Sequence, residues 1–186
     1  MADIRTYMNF TPTPQKREAG FVSTVLLVLS VISFLFSGVN GIPPLPLQLI
    51  SLACAVAGVY VAVRYVFTTF TYSITAKNGG FHPELDREYV DLCISKTQGS
   101  RGPVTECRLS MDKLTQITEY TNELVPKLRA KHGKVSLYHY TVQMTPKKRH
   151  ALVFDDGGEC ICLVIEADSH FLTALSSYIP QTYTEI

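Results

Sequence analysis

Apolar positions are concentrated in two long blocks within the first third of the chain. "AGFVSTVLLVLSVISFLFS" occupies 19–37 and "LPLQLISLACAVAGVYVAVRYVF" occupies 45–67, and no charged residue lies between Glu18 and Arg64. A helix rises about 1.5 Å per residue and the hydrocarbon core of a bilayer is about 30 Å thick, so each block can span it. The pattern predicts two transmembrane helices, about 19–37 and 45–67.

The link between the two blocks, "GVNGIPPLP", consists mostly of residues that favour turns. It is too short to hold a domain, so we expect the helices to run antiparallel. The link contains no Lys or Arg, whereas Arg5, Lys16 and Arg17 precede the first helix and Arg64 ends the second. The positive-inside rule then predicts a multi-pass protein of the plasma membrane with both termini in the cytoplasm.

The apolar blocks allow two other interpretations. The first block could be a cleaved signal peptide, but it is long for one and no A-x-A site follows it. The pair could be a helical hairpin buried in a soluble protein, but the uncharged stretch 19–63 is long for such an interior. Both alternatives are less well supported than a membrane hairpin.

Arg64 is the only charged residue within the second block. A long side chain near the helix end can reach lipid phosphates, with Tyr60, Tyr65 and Phe67 as interfacial aromatic residues. The alternative is a charge inside the bilayer that serves an ion pathway. Neither block contains an acidic partner, so we expect Arg64 to contact the membrane surface or a partner protein.

Small residues recur at a spacing of four along the second block. They pair as Ala53 with Ala57, Cys54 with Gly58, and Gly58 with Ala62. Small side chains at this spacing allow close approach of two helix backbones. The face predicts helix–helix packing, either against the first helix or between protomers of a homo-oligomer.

From Phe70 onward the hydrophobic period changes to two residues. "FTYSIT", "EYVDLCISK", "VTECRLS", "KVSLYHYTVQM", "HALVF" and "CICLVIEA" predict strands. "PKKR" predicts a turn between the fourth and fifth of these, which would bring His139 and His150 together across a hairpin. The last strand is apolar on both faces, which is typical of a central strand.

Two helices are predicted among and after these strands. "MDKLTQITEYTNELVPKLRAKHG" predicts a strand to about Thr121 and then a short helix from about Asn122 that Gly133 terminates. "DSHFLTALSSYIP" predicts an amphipathic helix whose N-cap is Asp168 or Ser169. This last helix can cover the open end of a curved sheet.

The order of these elements resembles that of bacterial membrane proteins in which a two-helix hairpin precedes a pleckstrin-homology-like (PH-like) domain. "FTYSIT", "LSMDKLTQI", "HALVFDDGGECICLVIEA" and "SHFLTALSSYI" carry the resemblance, and "NELVPKLRAKHGK" is an insertion. The implied α+β membrane protein has a cytoplasmic N-terminal tail (1–18), an antiparallel transmembrane hairpin (19–67) and a cytosolic domain (68–186). That domain would be an antiparallel PH-like β-barrel or sandwich with a C-terminal capping helix.

Charge and motifs argue against several classes of function. Seventeen basic residues face sixteen acidic ones with no long basic stripe, so we expect no nucleic-acid partner. The chain contains no G-x-S-x-G, Walker A, dinucleotide-binding or H-E-x-x-H motif. We therefore expect no catalytic, cofactor-binding or metal-binding residue, and no cofactor.

The five cysteines are the main support for a different class of function, that of an enzyme or redox sensor. Cys93 and Cys107 fall on neighbouring predicted strands, and Cys160 and Cys162 share one strand face, while Cys54 lies in the second apolar block. Because cytosolic thiols stay reduced and C-x-C is not a zinc-ribbon spacing, buried core thiols are expected. The alternative is a thiol- or metal-dependent enzyme or redox sensor.

Basic residues at one predicted turn are candidates for contact with the membrane surface or a partner, although a solvated turn is the more common role of such residues. Lys147, Lys148 and Arg149 would each gain about 1 kcal/mol beside an anionic leaflet. A solvated turn is the alternative, as it is for the basic helix face at 127–134.

The sequence thus predicts a membrane-anchored, non-enzymatic binding or assembly module. Its expected partners are the lipid bilayer and either a second copy or another membrane protein. A structural subunit of a larger membrane complex is another alternative.

Overall fold

A computed structural model describes residues 4–13, 16–39, 43–77, 89–146 and 148–179. The strands are Ile4–Phe10 (β1), Thr68–Lys77 (β2), Val90–Gln98 (β3), Val104–Ser110 (β4), Leu114–Glu119 (β5), Val135–His139 (β6), His150–Asp156 (β7) and Glu159–Ile165 (β8). The α-helices are Lys16–Phe36 (α1), Pro44–Val61 (α2), Leu124–His132 (α3) and Ser169–Ser176 (α4). A π-helical turn at Ala62–Val66 extends α2, and a 3₁₀ turn at Met111–Lys113 precedes β5. The protein is therefore mixed α+β.

Both predicted apolar helices are present, and both are long and apolar enough to cross a membrane. The spans are Arg17–Phe36, with mean hydropathy 2.4, and Pro44–Val66, with mean hydropathy 1.9. Only 11% and 17% of these spans is buried inside the structure, and large side chains such as Phe21 and Leu45 are exposed. The two helices are therefore not a hairpin buried in the interior of the protein, which was one alternative from the sequence.

Helices α1 and α2 pack against each other through hydroxyl groups. The Ser51 hydroxyl donates to the Ser30 carbonyl at 2.8 Å, and the Ser23 hydroxyl donates to the Gly58 carbonyl at 2.9 Å. Ser23 near the start of α1 thus meets Gly58 near the end of α2, whereas Ser30 farther along α1 meets Ser51 earlier in α2, so the helices run antiparallel. Sequence reasoning on small-residue spacing missed these serines.

The first sheet has the order β1-β2-β3-β4 and is antiparallel throughout. Its first strand lies within the segment 1–18, for which the sequence predicts an N-terminal tail. Strand β1 pairs with β2 from Ile4 opposite Lys77 to Phe10 opposite Tyr72. Without this pairing β2 would be an open edge, so the chain before the helices completes the sheet that follows them.

The second sheet has the order β5-β7-β8-β6, and β6 is parallel to β8. This corrects the expectation of a wholly antiparallel domain and of a hairpin between β6 and β7. Helix α3 carries the chain from the β5 edge to the opposite edge, so β6 arrives beside β8 instead of β7. His139 pairs with Val164 and His150 with Ile165, so β8 separates the two histidines.

Two hydrophobic clusters stabilise the two sheets. The main one includes Tyr72, Leu92 and Phe154 and is completed by Phe171 of α4. The smaller one lies between β7, β8 and α3 and includes Leu128. Strand β8 contributes to both clusters, which agrees with its apolar residues on both faces.

The predicted boundaries of α3 and α4 agree with the structure. Helix α3 follows β5 and ends before Gly133, whose φ of +75° suits glycine. For α4, the Asp168 carboxylate accepts a hydrogen bond from the Phe171 backbone N–H at 2.8 Å. Asp168 is thus the N-cap, one of the two residues that the sequence offered for it.

Candidate functional site

The apolar helices join the sheets through the π-helical turn that ends α2. The Phe67 N–H donates to the Ala62 carbonyl at 3.0 Å, and the Thr68 hydroxyl donates to the Val63 carbonyl at 2.7 Å. Single π-helical turns are frequent at functional sites because they redirect side chains. Strand β2 begins at Thr68, so no flexible linker separates helix from sheet.

Arg64 lies in this turn, and its side chain packs against the sheets. The Nη2 group donates to the His139 carbonyl at 3.2 Å. The guanidinium carbon lies 5.2 Å from the centre of the Tyr65 ring and 5.1 Å from that of Phe70, within the range of cation–π attraction. The sequence suggested contact with the membrane surface or a partner, but gave no signal of this attachment to the sheets.

A buried polar network lies behind Arg64. The Tyr72 hydroxyl donates to the Tyr140 carbonyl at 2.6 Å and accepts from the Glu166 N–H at 3.4 Å. Glu166 Oε1 accepts from the Gln143 N–H at 2.9 Å, and Glu166 is only 7% exposed. The network therefore joins β2, β8 and the segment after β6.

Two charged groups of this region have buried atoms without a hydrogen-bond partner among the described residues, Arg64 Nη1 and Glu166 Oε2. Burial raises the pKa of the Glu166 carboxyl, and this outweighs two backbone N–H groups and the charge of Arg64, which lower the pKa. Burial likewise raises the pKa of the Tyr72 hydroxyl. Removing water is thus the dominant electrostatic effect here.

A cavity of about 290 Å³ opens at the same junction. Its charged and aromatic lining includes Tyr60, Arg64, Lys96, Glu106, His139 and Tyr140. Lys96 Nζ lies 3.4 Å from Glu106 Oε1. Burial lowers the pKa of His139, and the charges of Arg149 and Arg64 lower it further, so the charged form of this imidazole is disfavoured. The cavity therefore has two cations and one carboxylate.

The end of β6 and the segment that follows it contact the sheet-side ends of both apolar helices. The His139 carbonyl accepts from Arg64 at the end of α2, and the Thr145 hydroxyl donates to Glu18 Oε2 at the start of α1, at 3.0 Å. The predicted basic turn follows directly. Lys148 is exposed, and the Arg149 guanidinium lies 5.0 Å from the centre of the Tyr120 ring. Lys147 lies outside the described residues.

The small residues of α2 divide into two groups. Gly58 faces α1, where an added Cβ would lie 3.0 Å from Leu27 Cγ, and Cys54 and Ala62 are half-buried. Ala53 and Ala57 are exposed on the outward side. The spacing rule therefore identified the contact with α1 at Gly58, while two of its members face away.

The cysteines of the sheets lie in hydrophobic surroundings. Cys160 and Cys162 are buried beneath α3, where burial raises the pKa of Cys160 and raises that of Cys162 to about 11. Cys107 packs on the main cluster, whereas Cys93 Sγ lies 3.3 Å from the Thr75 hydroxyl. Among the described residues, no three His, Cys, Asp or Glu side chains are grouped so as to hold a metal ion.

Comparisons with family models, with curated proteins and with solved structures found no match to this chain. The functional argument therefore depends on the geometry of the junction and of the two helices.

Proposed function

We propose that this protein is a membrane-anchored, non-enzymatic binding or assembly module. In this proposal α1 and α2 form a transmembrane hairpin that holds a PH-like domain at the cytoplasmic surface of the plasma membrane. The observation that carries the proposal is the direct passage from the exposed apolar helix α2, through Arg64, into strand β2. A rigid passage of this kind would fix the height and orientation of the domain above the lipid.

The exposure of the helices supports the membrane anchor. Large apolar side chains such as Phe21, Leu35, Leu45 and Leu52 are more than 60% exposed. An apolar surface of this extent is costly in water and favourable in lipid. The hydroxyl pairs between α1 and α2 satisfy serine groups that would otherwise face hydrocarbon.

The distribution of cations supports the proposed orientation. Arg64 lies at the sheet-side end of α2, and Arg17 lies at the corresponding end of α1. Lys148 and Arg149 follow the segment that contacts both of these helix ends. The positive-inside rule then favours a cytoplasmic sheet domain, with the link between α1 and α2 on the other side.

The character of the polar groups supports a binding or assembly role. Arg64, Tyr72 and Glu166 make contacts that hold elements together. Two sheets with a shared core and the covering helix α4 are the elements expected of a PH-like domain, to which this chain adds α3 and β6. Exposed small residues on α2, Ala53 and Ala57, leave a face for a second copy or another membrane protein.

Cysteine labelling of intact cells tests the proposal. In a variant lacking the five native cysteines, one cysteine is introduced either at Val39, beyond α1, or at Lys148. We expect an impermeant maleimide to label Val39→Cys in intact cells and Lys148→Cys only after permeabilisation. Labelling of both positions from the same side, or a full-length protein that stays monodisperse in buffer without detergent, would contradict the proposal.

A further inference from the structure

The junction cavity has the layout of a site for an amphipathic anion. Tyr60 at the end of α2 and Val63 in the π-helical turn line the cavity, and both side chains are exposed. Arg64, Lys96 and Glu106 line the side that belongs to the π-helical turn and the sheet. A ligand with a hydrocarbon part and a charged part could thus meet both surfaces at once.

The charges of the cavity leave an excess of one cation. Lys96 is paired with Glu106 at 3.4 Å, and the pKa of His139 is lowered, so the charged form of that residue is disfavoured. Arg64 donates its hydrogen bond to a neutral carbonyl, and no carboxylate of the described residues lies within ion-pair distance of it. The charge of the guanidinium is therefore not offset by an ion pair among the described residues.

The negative end of the α2 helix dipole offers little competition to an anion here. The carbonyls of Ala62 and Val63 already accept hydrogen bonds, from the Phe67 N–H and from the Thr68 hydroxyl. Partial charges at a helix terminus come from carbonyls without partners. These two partnered carbonyls therefore present less negative charge to an anion than free ones would.

We infer that this cavity binds a phosphate group, either that of an anionic phospholipid headgroup or a free phosphate ion. Arginine and lysine are the usual ligands of phosphate, and phosphate is the abundant anion at the membrane surface. A volume of about 290 Å³ is at the small end of ligand sites and suits a headgroup while the acyl chains stay in the bilayer. The inference rests on the proposed membrane anchor, since that anchor sets the cavity at headgroup level.

Native mass spectrometry of the full-length protein in mild detergent tests the inference. Phosphatidylglycerol and phosphatidylcholine are titrated separately, and the bound lipid is counted for each. We expect tighter binding of phosphatidylglycerol, because the choline group would add a second cation beside Lys96. Arg64→Gln should weaken phosphatidylglycerol binding about fivefold, the effect of one cation beside an anionic group.

Two further variants separate a ligand role from a structural one. Arg129→Gln removes an exposed arginine of α3, remote from the cavity, and should leave lipid binding unchanged. Glu106→Gln removes the carboxylate that pairs with Lys96 and should strengthen phosphatidylglycerol binding about fivefold. A gain for phosphatidylglycerol with unchanged phosphatidylcholine binding distinguishes this effect from misfolding, which would raise the binding of both lipids.

Inorganic phosphate distinguishes the two sources of the ligand. Displacement of phosphatidylglycerol by millimolar phosphate would assign a site that also takes the free ion, and lack of displacement would assign a headgroup site. The inference would be overturned if both lipids bound equally well and if neither Arg64→Gln nor Glu106→Gln changed that binding. Failure of the membrane anchor would be detected separately, by the cysteine labelling.

Discussion

Arg64 lies where the apolar helix α2 meets the sheets. Its position near the end of an apolar helix would allow it to reach lipid phosphates, but its guanidinium packs between two aromatic rings and bonds to the His139 carbonyl. A guanidinium can stack on aromatic rings and donate hydrogen bonds at the same time. We therefore see Arg64 as the residue that attaches the helices to the sheets.

Glu166 is the counterpart of Arg64 on the sheet side. Because its pKa is raised, the protonated form is favoured in the folded state, and the stability it contributes is lost as pH rises through the folded pKa. Glu166→Gln keeps an acceptor for the Gln143 N–H and removes the cost of ionisation. We expect this variant to melt above the wild type at about pH 7 and close to it at about pH 4.

Thermal unfolding in detergent at the two pH values measures this effect. Glu123→Gln is the matched control, because the Glu123 side chain at the start of α3 is exposed to solvent. If Glu166→Gln melts below the wild type at about pH 7, the attraction between the carboxylate and Arg64 outweighs the cost of burial.

Cys160 and Cys162 provide a second prediction at the residue scale. The thiolate is the reactive form, so burial together with a raised pKa should make both residues slow to react. We expect a thiol reagent to modify them only after denaturation, as read by mass spectrometry of the peptides. A cysteine introduced at the exposed Lys148 is the positive control. Rapid modification of the native pair would favour the thiol-dependent alternative.

At the scale of elements, the packing of α1 on α2 depends on the absence of a side chain at Gly58. A Cβ there would lie 3.0 Å from Leu27 Cγ and 3.3 Å from Leu26 Cβ. Gly58→Val should therefore force the helices apart and cost about 1–3 kcal/mol, the usual effect of overpacking. The hydrogen bond from Ser23 to the Gly58 carbonyl would lengthen as well.

Ala57→Val is the control for this prediction, because Ala57 is exposed on the same helix one residue away. Thermal unfolding in detergent should separate the two variants, with Ala57→Val close to the wild type. Equal destabilisation of both would mean that the helices do not pack through Gly58.

At the scale of the whole molecule, the two apolar helices are inserted between two neighbouring strands of one sheet. Strand β1 precedes the apolar helices and pairs with β2, which follows them. The strand before α1 and the strand after α2 thus belong to one sheet. The end of β6 and the segment that follows it also contact α1 and the turn that ends α2. These contacts restrict the tilt of the sheets relative to the helices.

Phe10 tests whether β1 is an integral part of the domain. Its ring lies 6.2 Å from that of Tyr72 and 5.8 Å from that of Phe171. Phe10→Ala should cost about 1–3 kcal/mol, through lost burial and lost aromatic contacts. The exposed Asn9 on the same strand supplies the control, and Asn9→Ala should be nearly neutral. A neutral Phe10→Ala, measured by thermal unfolding, would contradict an integral β1.

The sequence by itself determined the features that depend on neighbouring residues. The two apolar helices, the alternation around Tyr72, the central strand β8 and the Asp168 cap all follow from local periods and local hydrogen bonds. A period of two or of 3.6 residues records which side of an element is buried, so it can be detected in a short window.

Only the tertiary structure decided which distant segments meet. The pairing of β1 with β2, the parallel entry of β6 beside β8 and the cavity at Arg64 each join residues far apart in the chain. Strand partners are chosen by the shared core and by the path of the connections, which a local pattern does not encode. For the same reason the contact between Arg64 and the His139 carbonyl could not be found from either segment alone.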